Sequence, residues 1–127
     1  MADLVLIDTS SIIDYLWGRE ENGILEGLLK EARSGISIIS IYEIFCGVYS
    51  KSDWNQCHYF IELSKRLDLT VPITQMAAEI YQYLRKEGQL IANEDILIAA
   101  TAIYGDYALL TRNKKDFIKI PQLKLFE

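Results

Sequence analysis

The run Leu4-Val5-Leu6-Ile7 constrains this chain more than any other stretch of it. A strand with one face in water alternates polar and apolar residues. An unbroken apolar strand is buried on both faces, which is the condition of a parallel sheet covered by helices on either side. The run stops at Asp8-Thr9-Ser10-Ser11, four residues whose side-chain oxygens suit the start of a helix. A helix through Ile12, Ile13, Leu16 and Trp17 is therefore expected next. Strand, cap and helix in that order make the first half of a βαβ unit.

The pattern then repeats. Residues 24–32 read as a helix with Leu25, Leu28, Leu29 and Ala32 on one stripe, stopped by Gly35. Residues 36–39 read as a second strand, after which Ser40 caps a helix over 41–49. A helix over 54–67 follows, then a third strand over 69–71 closed by Pro72, then a helix over 75–87 ended by Gly88. Asn93 caps a helix over 95–104, Gly105 ends it, and 108–111 form a fourth strand. Residues 119–125 can add a short fifth strand at an edge. No repeat, low-complexity tract or linker interrupts the chain, so residues 1–127 are expected to form one unit. Alternating strands and helices imply an α/β fold on a Rossmann-like parallel sheet.

Open sheets of this kind collect ligands outside the carboxyl ends of their strands. Acids lie there. Asp8 follows the first strand, and Glu43 falls in the first turn of the helix after the second. Asp95 opens the helix before the fourth strand, and Asn113 and Asp116 come after that strand. Carboxylates forced together repel one another and need a cation or raised pKa values. Hard oxygen ligands select Mg2+ or Mn2+ over zinc. Such ions activate water and clamp a phosphodiester for in-line attack.

Each of these residues also has a plain structural explanation. Asp8 suits an Asx-turn or a cap. Ser40-Ile41-Tyr42-Glu43 has the form of a capping box, with Glu43 reaching back to the cap's own N–H. Asp95 sits where the helix dipole favours an acid. The helix behind it, Ile96 to Ile103, is apolar nearly all round, and an acid leading a buried helix needs a partner or a metal. Lys114-Lys115-Asp116 has the pattern of an exposed charged turn. Thr9, Ser10 and Thr111 put hydroxyls near strand ends, where they either cap helices or orient carboxylates and phosphate. His58 lies far from the acids along the pattern and reads as a packing or surface residue. The aromatics Tyr42, Phe45, Tyr49, Trp54, Tyr59 and Phe60 suit core packing, a base-stacking surface or, better given the few basic residues nearby, a partner-binding groove.

Composition narrows the options. Thirteen Lys and Arg against eighteen Asp and Glu give a formal charge of −5, which argues against a broad basic face for duplex DNA. Cys46, Cys57 and the single histidine match no zinc pattern, and both thiols are expected to be reduced. No basic-then-apolar leader is visible and no apolar run reaches about 18 residues, so a cytoplasmic protein with no membrane segment is expected.

Taken together, Leu6-Ile7-Asp8-Thr9-Ser10, Ser40-Ile41-Tyr42-Glu43, Asp95-Ile96-Leu97-Ile98-Ala99-Ala100-Thr101-Ala102, and Leu110-Thr111-Arg112-Asn113 with Asp116-Phe117 resemble the PIN-domain nucleases. Length and motif order are similar to the VapC toxins of toxin–antitoxin pairs. The resemblance spans essentially the whole chain. It implies a three-layer α/β/α sandwich, Mg2+ or Mn2+ dependence, endoribonucleolytic cleavage of single-stranded RNA, a homodimer, and a cognate antitoxin whose tail fills a groove near the active site. By motif position Asp8, Glu43 and Asp95 match the three core acids. The fourth departs from the common pattern: Asn113 stands where Asp is frequent, and Asp116 matches a variant with the acid three residues later.

Two rival readings share an acidic Rossmann-like sheet. An aspartyl-phosphate phosphatase wants a second Asp two positions after its nucleophile, where Ser10 stands. A catalytically silent module that binds RNA or a protein partner would have no reason to gather carboxylates.

Overall fold

In a computed structural model that describes residues 3–20 and 22–127, β1 (Val5–Ile7) runs directly into α1 (Thr9–Leu16). There follow α2 (Ile24–Lys30), β2 (Ser34–Ser37), α3 (Ile38–Cys46), α4 (Lys51–Glu62), β3 (Lys65–Leu67), α5 (Val71–Lys86), α6 (Asn93–Tyr104), β4 (Ala108–Leu110) and α7 (Lys114–Phe117). The strands form one parallel sheet in the order β3-β2-β1-β4. The order reverses at β1, so the crevice between the ends of β1 and β4 is the natural ligand position for such a sheet.

The unbroken apolar run sets the layers. Val5 and Ile7 point into one core with Ile12, Leu25, Leu28, Ile36, Ile44 and Phe60. Leu6, between them, points into the other with Ile80, Leu84, Ile98, Ala99 and Phe117. In β4, Leu110 and Leu109 divide the same way. Two-residue alternation within continuous apolar strands thus serves two cores at once. The result is a three-layer α/β/α sandwich, with α1, α2 and α4 on one face and α5 and α6 on the other. Among the described residues no helix is long and apolar enough to cross a membrane.

Several elements depart from the expectations. The second strand occupies 34–37, and the following helix is capped by Ser37, whose Oγ accepts the Ser40 N–H at 3.1 Å. Gly35 therefore stops no helix. It is a buried strand residue where an added Cβ would meet Leu4 Cδ2 at 3.0 Å, and α2 is ended by Ala32 in the left-handed region (φ +56°). The third strand is Lys65-Arg66-Leu67, and Leu69-Thr70-Val71 instead leads into α5. Thr70 caps that helix, with Pro72 in its first turn, where a missing N–H costs nothing. The α4 helix starts at 51 from a Ser50 cap and ends at 62. Ala92, rather than Asn93, takes the cap position of α6. The proposed fifth strand reduces to one parallel bridge, Leu109 to Leu125, and the short helix α7 was not foreseen.

Candidate active site

Asp8 leaves β1 at the crevice. It is 3% exposed, and its backbone N–H still pairs with Leu110 O at 2.8 Å. Although it holds the cap position of α1, its side chain caps nothing. Its Oδ2 accepts two hydroxyls, from Thr111 Oγ1 at 2.7 Å across the crevice and from Ser10 Oγ at 2.9 Å. Its Oδ1 is buried without any partner among the described residues. An unpaired buried carboxylate oxygen costs roughly 1–3 kcal/mol or more, so a native site keeps one for a reason. Two hydroxyls fix the carboxylate's plane and leave that atom without a donor.

Glu43 arrives from α3. Because Ser37 caps this helix, Glu43 lies well inside it and its carboxylate is free of capping duty. Its Oε1 accepts Thr9 Oγ1 at 2.6 Å. Thr9 has one proton, given to Glu43, so at the 2.8 Å contact between Thr9 Oγ1 and Ser40 Oγ the serine must donate. Ser40 in turn accepts from Ser37 Oγ at 3.4 Å. Three hydroxyls point their protons in one direction, toward Glu43, and tie α3 to the start of α1.

Asp95, half-buried in the first turn of α6, has no such donors. Its pKa is pushed up to about 6, first by burial and then by the negative charges of Asp8, Glu43, Asp116 and Glu94. Asp8, Glu43 and Asp116 therefore all lie within electrostatic reach of Asp95. They are neighbours rather than an assembled cage: among the described residues no three His, Cys, Asp or Glu side chains stand at metal-ligand spacing. A hexacoordinate Mg2+ that keeps several waters needs only one or two direct carboxylates, so this looser set of oxygen donors fits such an ion.

The fourth position is a pair. Asn113 is tied in through its backbone: its N–H donates to Thr111 Oγ1 at 2.9 Å. Its side-chain amide donates to Asp116 Oδ2 at 3.0 Å, and Lys119 Nζ lies 3.5 Å from Asp116 Oδ1. The Asn113 amide, followed by Lys119 and Lys115, holds the Asp116 carboxyl below its usual range. Asn113 and Asp116 are not alternatives, since one orients the other.

The model of the PIN domain family matches residues 5–123. This chain belongs to the PIN-domain family. It is 36% identical over 125 residues to Ribonuclease VapC1 of Methanocaldococcus jannaschii, covering 97% of this chain and 87% of that protein. Among solved structures it is similar to VapBC2 of Rickettsia felis, a complex bound to a DNA fragment from their promoter (TM-score 0.84, 25% identity, 97% of each chain). It is also similar to a toxin-antitoxin complex from Klebsiella pneumoniae (TM-score 0.68, 27% identity, 94% of each chain).

Within this PIN domain, the sequence reading missed three features. Ser40 was read as a cap, yet it drives the hydroxyl chain to Glu43. Glu94, beside Asp95 in the same turn, adds to the pressure on it. Asp14 and Arg112, paired with each other across 98 residues, drew no attention. Spacing cannot reveal such contacts, although Thr111-Arg112-Asn113 already marked the turn. His58 is exposed and stacks against Phe45 and Trp54, with ring centroids 5.0 and 5.3 Å away. Of the six aromatics only Phe60 is fully buried, while Tyr42, Tyr49, Trp54 and Tyr59 are exposed. Both cysteines are free, Cys46 exposed and Cys57 buried.

Proposed function

We propose that this PIN domain is a metal-dependent endoribonuclease that cuts single-stranded RNA, acting as the toxin of a VapBC-type toxin–antitoxin pair. The observation that carries the reading is Asp8: a buried carboxylate fixed by two hydroxyls, with its second oxygen unpartnered. Asp95, raised to about 6 by burial and by the charges of the same neighbourhood, supports it. A divalent cation answers both the missing partner and the repulsion. The names of the relatives support ribonuclease activity.

Asp8 and Asp95 would hold Mg2+ or Mn2+, directly or through water. When bound, the ion neutralises charge on the phosphoryl oxygens and acidifies water. Thr111 and Ser10 keep Asp8 from rotating. Thr9 occupies Oε1 of Glu43, which leaves Oε2 to take a proton from the attacking water or to act as a further ligand. Asp116, aimed by Asn113, positions water or assists a second ion. The hydroxyl-to-carboxylate bonds are assembled before substrate arrives, so little reorganisation remains for the reaction step.

The same reading takes residues 1–127 as a single nuclease unit working in the cytoplasm. It assigns as partners a second copy of the chain and a cognate antitoxin protein. The solved toxin-antitoxin complex it resembles supports the latter. The test is cleavage of a single-stranded RNA with and without Mg2+ or Mn2+, in wild type and Asp8→Asn. Cleavage that needs the metal and disappears in the variant is expected. Metal-independent cleavage, or full activity in Asp8→Asn, would sink the reading.

A further inference from the structure

Beside the carboxylates lies a cavity of about 760 Å3, lined among others by Ser11, Asp14, Arg19, Thr111, Arg112 and Lys114. It adjoins the crevice, because Thr111 lines the cavity and also donates to Asp8. Three cations collect here in a chain whose formal charge is −5. Arg112 is anchored from behind by its backbone N–H, which donates to Ser10 Oγ at 3.2 Å, the same hydroxyl that donates to Asp8. Its guanidinium, on a side chain 64% exposed, reaches the Asp14 carboxylate. The other oxygen of Asp14 accepts Arg19 Nε at 3.2 Å. One carboxylate therefore serves two guanidiniums. Of the cavity's other acids, Glu20 Oε1 accepts the Leu25 N–H at 2.7 Å, and Glu127 pairs with Lys114 at 3.4 Å, so Asp14 is the carboxylate that Arg112 and Arg19 share.

A guanidinium fork presents the same parallel donors to a carboxylate and to a phosphate. We propose that this cavity is a phosphate subsite: Arg112, backed by Arg19, takes a phosphodiester of the substrate strand beside the one cut at Asp8. Asp14 fills the fork while no strand is bound. The inference rests on the ribonuclease reading, since it needs a polyanionic strand in the crevice. It also explains how an acidic protein holds RNA. The foothold is local, and the carboxylate that guards it is displaced by the ligand. A phosphate contact on a single strand contributes about 0.7 to the slope of log affinity against log salt.

The experiment measures binding of a fluorophore-labelled single-stranded oligoribonucleotide, with Ca2+ in place of Mg2+, across a salt series. Arg112→Ala is expected to weaken binding roughly ten- to hundredfold at low salt, the range for a hydrogen bond to a charged group. The slope should fall by about 0.7. Asp14→Asn acts in the opposite direction and tightens binding, because the competing carboxylate is gone. Lys86→Ala, on α5 in the other helical layer, serves as the charge control and leaves the slope unchanged. Arg112→Gln keeps bulk if the alanine variant is poorly folded. The proposal is overturned if Arg112→Ala leaves affinity and slope alone. It is equally overturned if Asp14→Asn weakens binding as Arg112→Ala does, or if Lys86→Ala lowers the slope as much. Cleavage by the wild type in Mg2+ is scored separately. Opposite shifts without cleavage leave the subsite standing and remove the nuclease. Cleavage without those shifts does the reverse.

Discussion

Asp8 and Asp95 stand at the same edge of the sheet and are held there by opposite means. Asp8 is wired: two hydroxyls donate to one oxygen, and the chain on both sides is locked in or beside the sheet. Asp95 is pressed: it is half-buried, faces three other carboxylates at the crevice, and is pushed up to about 6. Hydrogen bonds to an ionised carboxylate favour the charge, while burial and like charges oppose it. The lesson is a division of labour. One acid presents a fixed oxygen, and the other is held against burial and repulsion that a cation would relieve.

The largest expected effect tests that division directly. Asp8→Asn and Asp95→Asn should each slow RNA cleavage roughly a thousandfold, as expected when a centre that stabilises transition-state charge is disabled. They should differ in the metal-free protein at pH 7.5. Asp95→Asn relieves repulsion and raises the melting temperature. Asp8→Asn also removes a charge facing Asp95, but it exchanges two charge-assisted bonds for neutral ones, and that loss lowers it. If both variants shift the melting temperature the same way, the two acids are not held by different means.

Next come the hydroxyls. Thr111→Val and Thr9→Val keep shape and remove a donor each. Activity is expected to drop roughly 10- to 100-fold, as for other residues that orient ligands, with KM little changed. Thr9→Ser should restore most of it. Failure of that rescue would assign the loss to packing rather than to the bond on Glu43.

A smaller effect comes from pH. Since Asp95 titrates near 6 and must be ionised to receive a cation, Mn2+ affinity should be about tenfold weaker at pH 5 than at pH 7. The sign for folding is the reverse of the usual carboxylate. A raised pKa means that the stability held by protonated Asp95 is complete below about 4 and lost as pH rises through about 6. Metal-free protein should thus melt lower at pH 7.5 than at pH 5 as far as this group is concerned, and Mn2+ should close the gap. Calorimetric titration and thermal melts across that range decide it, and a pH-independent Mn2+ affinity would break the assignment.

The smallest effect is expected at the fourth position. Asp116 is partly exposed, and its ion pair with Lys119 is worth little by itself. Asp116→Asn should cost about fivefold or less in kcat/KM, within the range of an exposed ion pair. A loss comparable to that of Asp8→Asn would promote Asp116 to a full member of the centre.

Where the sequence reading went astray, the cause is physical. Ser37 and Ser40 are equally good caps, three residues apart, and propensity cannot choose between them. The choice follows from register, in which Gly35, Ile36 and Ser37 pair with Lys65, Arg66 and Leu67 and hold Ser37 at the strand's end. That one-turn shift removed the capping-box explanation of Glu43. The third strand was misplaced for a related reason. Lys65-Arg66-Leu67 sits at the sheet's edge, where backbone pairing suffices and charged side chains face water. The more apolar Leu69 and Val71 are exposed, at 36% and 70%. Hydropathy reports burial of side chains and does not detect a strand held only by its backbone.

The sequence by itself determined the layering and the acids. An unbroken apolar strand demands two covered faces, and acids that end strands or begin buried helices are marked by their position. Only the tertiary structure decided how those acids differ. Hydrogen-bond partners 31 to 103 residues apart, from Thr9 with Ser40 to Thr111 with Asp8, exist only once the strands and helices are in register. Whether a carboxylate is wired or pressed depends on such partners and on burial, which are properties of the packed chain and leave no local trace in its order.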